Sequence, residues 1–256
     1  MESADRFFSF KMWNAAITEY KRHLFTSPRT STRDHCFERI ALCYEYEGNL
    51  HGALDWTRKA VSIASSDSIR DDRRFDAASL SADMGHRDSA ELEFNRLSLF
   101  SKYSSVREAA VVRAADLQLE AHRWRDARET LLSCSEIQSA LGDRLDSLFT
   151  TLDHSKQKSP KMARRLSTFL PGAGQFYTAN VGDGVLSLTL NAAFVLLVVN
   201  SIRDGRIGMT IVGASFGFRY YQGGRYHATR LALEYNKDAL RPAINEIRQE
   251  LHRIAP

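Results

Sequence analysis

Two patterns of apolar and small residues divide this chain. The first is periodic. Ala16, Ala53, Ala90 and Ala127 stand 37 residues apart, and so do Ala4, Ala41, Ala78 and Ala115. Two registers with one period predict repeated helix pairs, the first column in the second helix of each unit and the other in the first. Small residues there let paired helices approach near the lower end of the usual ~8–10 Å separation. Turn signals fall between the columns at Lys11-Met12, Gly48-Asn49, Gly85-His86 and His122-Arg123. Large apolar residues recur at Tyr20, Phe94 and Leu131, a column that Thr57 breaks. Trp13, Leu50 and Trp124 begin second helices, where Arg87 departs. Four units over residues 1–140 give about eight helices, enough to stack into one core.

The second pattern is an uncharged run. From Gly184 to Ile202 there are 19 residues without charge, about the length that crosses a ~30 Å hydrocarbon layer. Arg203-Asp204-Gly205-Arg206 reads as a polar turn, and Ile207 to Phe218 is apolar again. The pattern predicts a transmembrane helical hairpin. Ahead of it, Pro171-Gly172 breaks or re-aims a short amphipathic run that ends in Leu170. Phe176 and Tyr177 are rings of the kind that sit at headgroup level. Asn191 is the only strongly polar side chain before Asn200. In lipid it would bond the facing helix, worth about 0.6–2 kcal/mol, or serve a transport or relay role. Gly213 to Gly217 has small-xxx-small spacing, and Gly223-Gly224 loosens the exit. Leu240, Ile244, Ile247, Leu251 and Ile254 then space an amphipathic last helix with Pro242 in its first turn. The expected fold is all-α: a helical solenoid, a transmembrane helical hairpin and an amphipathic C-terminal helix. Its parts are repeats over 1–140, a helical connector over 141–160, a hairpin domain over 161–236 and the last helix over 237–256.

Charge and composition sharpen this picture. The net charge is +4 over 256 residues, and the mean hydropathy is negative, so any membrane portion is local. Lys156, Lys158, Lys161, Arg164 and Arg165 precede the hairpin, where each can anchor on anionic headgroups by about 1 kcal/mol. A lipid bilayer met through 161–221 is therefore the expected partner. Nucleic acid is not, because no basic stripe is interleaved with stacking aromatics. A hairpin returns its ends to one side. The basic flanks outweigh the turn, with Arg203 and Arg206 alone, which places both termini in the cytoplasm. Met1 to Arg6 is polar with no apolar stretch behind it, which points away from a secretory leader. Cys36, Cys43 and Cys134 read as reduced, buried thiols.

Family likenesses add expectations. Phe37…Ala41…Tyr44…Gly48…Ala53…Ala60 resembles the tetratricopeptide repeat, although the period is 37 and Ser81 and Gln118 stand where an aromatic is usual. That resemblance implies a groove lined by first helices, with His35, Glu38, Leu42, Glu45, Asp72, Phe75, Ser79, Val112, Asp116 and Leu119 facing a protein or peptide partner. The order Lys158-Ser159-Pro160…Pro171-Gly172-x-Gly174-Gln175-Phe176-Tyr177…Gly184…Asn191…Tyr221…Gly224…Tyr235-Asn236 is similar to an uncharacterised bacterial family. Its members join tetratricopeptide-like repeats to a C-terminal two-span domain, which implies a bacterial inner membrane as the location. They often carry a signal sequence, which would place the repeats outside the cytoplasm.

Catalysis is not expected. The chain has no phosphate loop, no His-Glu-x-x-His, no Gly-x-Ser-x-Gly and no third glycine after Gly172-x-Gly174. No cofactor or metal site is expected either. The leading function is a membrane-anchored interaction scaffold. The alternative is an accessory factor in membrane-protein insertion, transport or envelope assembly.

Overall fold

The computed structural model describes residues 1–26 and 30–254, except the side chains at 30, 31 and 254. Ile254, expected on the apolar face of the last helix, is thus outside the described side chains. The described residues fall into two compact parts, Met1–Asp146 with Ile247–Pro256, and Ser147–Glu246.

In the first part, α1 (Glu2–Ser9) pairs with α2 (Trp13–Thr26), α3 (Thr30–Tyr46) with α4 (Leu50–Ile63), α5 (Asp67–Asp83) with α6 (Arg87–Phe100), and α7 (Ser104–Glu120) with α8 (Trp124–Leu132). Successive pairs also pack on one another, which is solenoid-like repeating packing. Every member of both alanine columns is buried. Lys11, Gly48, Gly85 and His122 adopt left-handed φ of +58°, +75°, +85° and +58°. In each case the next residue's N–H bonds back to a carbonyl five residues earlier. The four bonds are Met12 to Phe7, Asn49 to Tyr44, His86 to Ser81 and Arg123 to Gln118, at 2.8–2.9 Å. This Schellman closure satisfies otherwise orphaned helix-end carbonyls. It recurs with the 37-residue period.

Thr57 explains itself within the Tyr20–Phe94–Leu131 column. It is buried, and its hydroxyl donates to the Ala53 carbonyl at 2.9 Å, so its polarity is satisfied within its own helix. A further periodic device escaped the sequence reading. Asp34 accepts from Ser65, and 37 residues on Asp71 accepts from Ser101 at 2.8 Å. Each carboxylate ties the start of a unit's first helix to the end of its second. The three cysteines are free and buried.

α9 (Ser135–Asp153) leaves the repeats. In the second part come α10 (Pro160–Phe169), α11 (Ala173–Tyr177) and α12 (Val181–Arg203), followed by α13 (Ile207–Ile254), which continues back into the first part. Ser159 caps α10 by accepting from Met162 N–H, with Pro160 in the first turn.

The expected two-span hairpin is corrected here. Among the described residues only α12 is long and apolar enough to cross a membrane. The second apolar run, Ile207 to Phe218, is 12 residues, about 18 Å of helix, short of a ~30 Å hydrocarbon layer. Arg219 ends it while the helix runs on. Gly223-Gly224 does not open an exit, and Pro242 sits inside the same 48-residue helix. The C-terminal amphipathic segment is therefore the end of α13 rather than a separate helix. The two-span inner-membrane placement with cytoplasmic termini falls with the hairpin, because that charge tally required both ends to return to one side.

Candidate functional site

The predicted groove residues divide into three groups. Glu38, Leu42 and Glu45 on α3 and Ser79 on α5 line one cavity of about 260 Å³, with Arg73, Asp76 and Asp83. Arg73 bridges Glu38 at 2.7 Å and Asp76 at 2.9 Å. Four carboxylates thus face one guanidinium across this cavity. Burial, then the Asp76 and Asp83 charges, holds the Glu45 carboxyl above its usual range. Burial also raises Asp76, by more than its hydrogen bond and charge pairing with Arg73 lower it, and the Glu38 and Asp72 charges add smaller raising effects. Like charges crowded in low dielectric disfavour ionisation, so the cavity carries surplus negative potential.

A second group sits elsewhere. His35 turns to α1, its Nε2 3.2 Å from Asp5 Oδ1 and its ring edge-on to Tyr20. Asp72 is exposed. Phe75 packs its ring on Phe94, centroids 5.2 Å apart, against the core of the third unit.

The third group is covered by the chain itself. Val112, Asp116 and Leu119 on α7 are 2%, 5% and 0% exposed. Arg248 of α13 places Nε 2.5 Å from Asp116 Oδ1, and Nη2 3.2 Å from Asp116 Oδ2 and 2.7 Å from Glu120 Oε1. Ile247 and Leu251 beside it are fully buried. Within the first compact part, the end of α13 thus occupies the α7 stretch of the first-helix face. Sequence reasoning missed Arg73, Asp76, Glu120 and Arg248, and took Asp83 only as a solvated carboxylate beside Asp71 and Asp72. Asp83 and Glu120 carried a signal, since they stand 37 apart on that face.

The glycine-rich motif builds a different object within residues 147–246. Gly172 has φ +94°, and a Cβ there would strike the Gly184 carbonyl. A Cβ on Gly174 would run into the Ala163 carbonyl, 2.5 Å from Ser167 Oγ and 2.8 Å from Ala228 Cβ. Pro171 precedes this close approach, and the Phe176 ring covers Gly184. Gln175 is 1% exposed. Its Oε1 accepts from Ser167 Oγ at 3.0 Å, and its Nε2 donates to the Gly224 carbonyl at 3.0 Å. Tyr177 OH accepts from Ser159 N–H at 3.1 Å, and Lys158 Nζ donates to the Tyr177 carbonyl. The Lys158 ammonium lies over the Tyr177 and Tyr235 rings. Its backbone is clamped by Asn236, which accepts from Lys158 N–H at 2.7 Å and donates to the Lys158 carbonyl at 2.9 Å. Tyr221 OH donates to the Thr168 carbonyl at 2.7 Å. Asn191 bonds the Ser187 carbonyl of its own helix at 2.7 Å rather than α13. These contacts lock α10, α11, α12 and the start of α13 by side chains that spend their polar atoms on the protein.

The comparisons bear on the repeats. The match does not fall on the Lys158–Asn236 order, so the expected likeness to a two-span bacterial family is corrected together with its second span. No curated protein matches the chain. Over residues 2–82, from α1 through most of α5, the chain is similar to a family described as a domain of unknown function (DUF6340).

Proposed function

We propose that this chain is a non-catalytic, membrane-associated interaction scaffold, whose repeats hold a protein partner while α12 meets a bilayer. The observation that carries this reading is the contrast along the first-helix face. At α7 the face is filled by the end of α13 through Arg248. At α3 and α5 it stays open, and its carboxylates outnumber its one cation. A partner segment with basic and apolar side chains, of the kind α13 itself presents in Ile247, Arg248 and Leu251, suits that surface. For the bilayer, only 11% of the most apolar window of α12 is buried within the protein, unlike the core helix of a water-soluble fold.

A photo-crosslinker at Glu45 or at Ser79 of the full chain should capture one common partner in cells, and Asp83→Lys should abolish that capture. Capture indifferent to Asp83→Lys would contradict the reading. In the same cells Leu196→Glu, on the exposed face of α12, should move the chain from carbonate-washed membranes to the supernatant. A chain already in the supernatant before the substitution would sink the membrane half.

A further inference from the structure

Within residues 147–246, α11, α12 and α13 border a cavity of about 570 Å³, a size typical of small-molecule sites. Its walls differ in kind. Leu186, Phe194 and Phe216 make one apolar, while Arg219, His227 and Asp183 make another polar. His227 Nε2 lies 3.8 Å from Asp183 Oδ2, so those two groups face each other. Among the described residues Arg219 has no carboxylate partner.

Ser187 also borders the cavity, without presenting its hydroxyl to it. It is 5% exposed, and its buried Oγ has no hydrogen-bond partner. A helical serine can bond the carbonyl four residues back, yet Ser187 does not, and buried polar groups in native proteins are seldom left so. On α13, Gly223 faces open space, since an added Cβ would meet nothing within 4 Å.

A bare anion would answer Arg219 and leave the apolar wall wet. An alkane would do the reverse. An acidic amphiphile answers both, and the neighbouring α12 is the helix apolar enough to bring the cavity to lipid. We infer that this cavity binds one acidic phospholipid, its headgroup phosphate on Arg219 and an acyl chain along Leu186, Phe194 and Phe216. This goes beyond a general bilayer contact by assigning a headgroup charge and a stoichiometry. Binding is measured in detergent, so its failure is separable from failure of membrane association, which fractionation reads.

The experiment is native mass spectrometry of the full chain in an uncharged detergent, titrated with phosphatidylglycerol, phosphatidylcholine or inorganic phosphate. One phosphatidylglycerol should bind per chain, phosphatidylcholine should bind at least about tenfold more weakly, and phosphate should not compete. Arg219→Gln should weaken phosphatidylglycerol at least about tenfold. Gly223→Leu, which fills the cavity at constant charge, should do the same. Arg206→Gln, in the exposed turn, should leave affinity unchanged. Equal binding of the two lipids, retained affinity in Arg219→Gln, or an equal loss in Arg206→Gln would overturn the site. Competition by phosphate would overturn its lipid assignment. Should Gly223→Leu fail to fold by circular dichroism, Phe216→Ala decides: about a fivefold loss supports the site, and unchanged affinity overturns it.

Discussion

The repeats and residues 158–236 are held together in opposite ways. In the repeats each device recurs. Four left-handed closures at Lys11, Gly48, Gly85 and His122 do one job, and two alanine columns do another. In 158–236 each device occurs once: Gly174 admits the Ala163 carbonyl, Gln175 joins Ser167 to Gly224, and Asn236 clamps Lys158. A repeated device can fail in one copy and leave its neighbours standing. A single lock has no spare. A period in the sequence therefore marks packing, and the faces it leaves open are where binding can occur. A dense single motif can look like a site and still be spent on close approach.

The largest effect should come from breaking the single lock. Gly174→Val places side-chain atoms on the Ala163 backbone and Ala228, and should cost about 3 kcal/mol or more. Thermal unfolding of the full chain in detergent reads this, and a loss under ~1 kcal/mol would show that the motif is not load-sharing structure.

In the repeats Ala90→Leu overpacks a fully buried column position and should cost about 1–3 kcal/mol, with protection from proteolysis kept in the other units. Loss of protection across all four would show one indivisible core instead.

Turn positions should sharpen the comparison in both directions. Gly85 holds φ +85°, so Gly85→Ala should destabilise by about 1 kcal/mol. Lys11 holds the equivalent place at φ +58°, so Lys11→Gly should stabilise by about 0.5 kcal/mol, relief of the left-handed strain exceeding the added chain entropy. Chemical denaturation of the two variants with matched slopes would check the pair, and effects of the same sign would refute the equivalence.

The smallest effect is electrostatic. The Glu45 carboxyl is raised in the folded chain, so the fold binds that proton more tightly than the unfolded chain does. Its charged form opposes folding at neutral pH. That opposition fades as pH falls through the raised value toward the ordinary ~4.3. Glu45→Gln should raise Tm at pH 7 and have no such effect below about pH 4; an equal gain at both would assign it to something other than charge.

The sequence exposed the repeats because small residues and turns recur together, and the tetratricopeptide resemblance implied that Glu38, Leu42, Glu45 and Ser79 share one face. Asp34 and Asp71 stand at the same spacing, but the serines that bond them stand 36 apart, so the pairing showed only in the structure. The second span was misread because a 12-residue apolar run and its continuation share one helical period. Residue spacing does not reveal that Arg219 interrupts the apolarity without interrupting the helix. What fills the α7 stretch was not legible locally. Arg248 meets Asp116 from 132 residues away, and such pairings are set by tertiary packing.

On the proposed function one face serves twice, once for the chain's own α13 and once for a partner. Photo-crosslinking from Val112 and from Ser79 in the full chain, followed by mass spectrometry of the adducts, tests it most directly. The account predicts an internal adduct between Val112 and residues 247–251, and an intermolecular adduct from Ser79. A partner captured at Val112 with no internal adduct would contradict it, and so would a Ser79 residue that captures nothing.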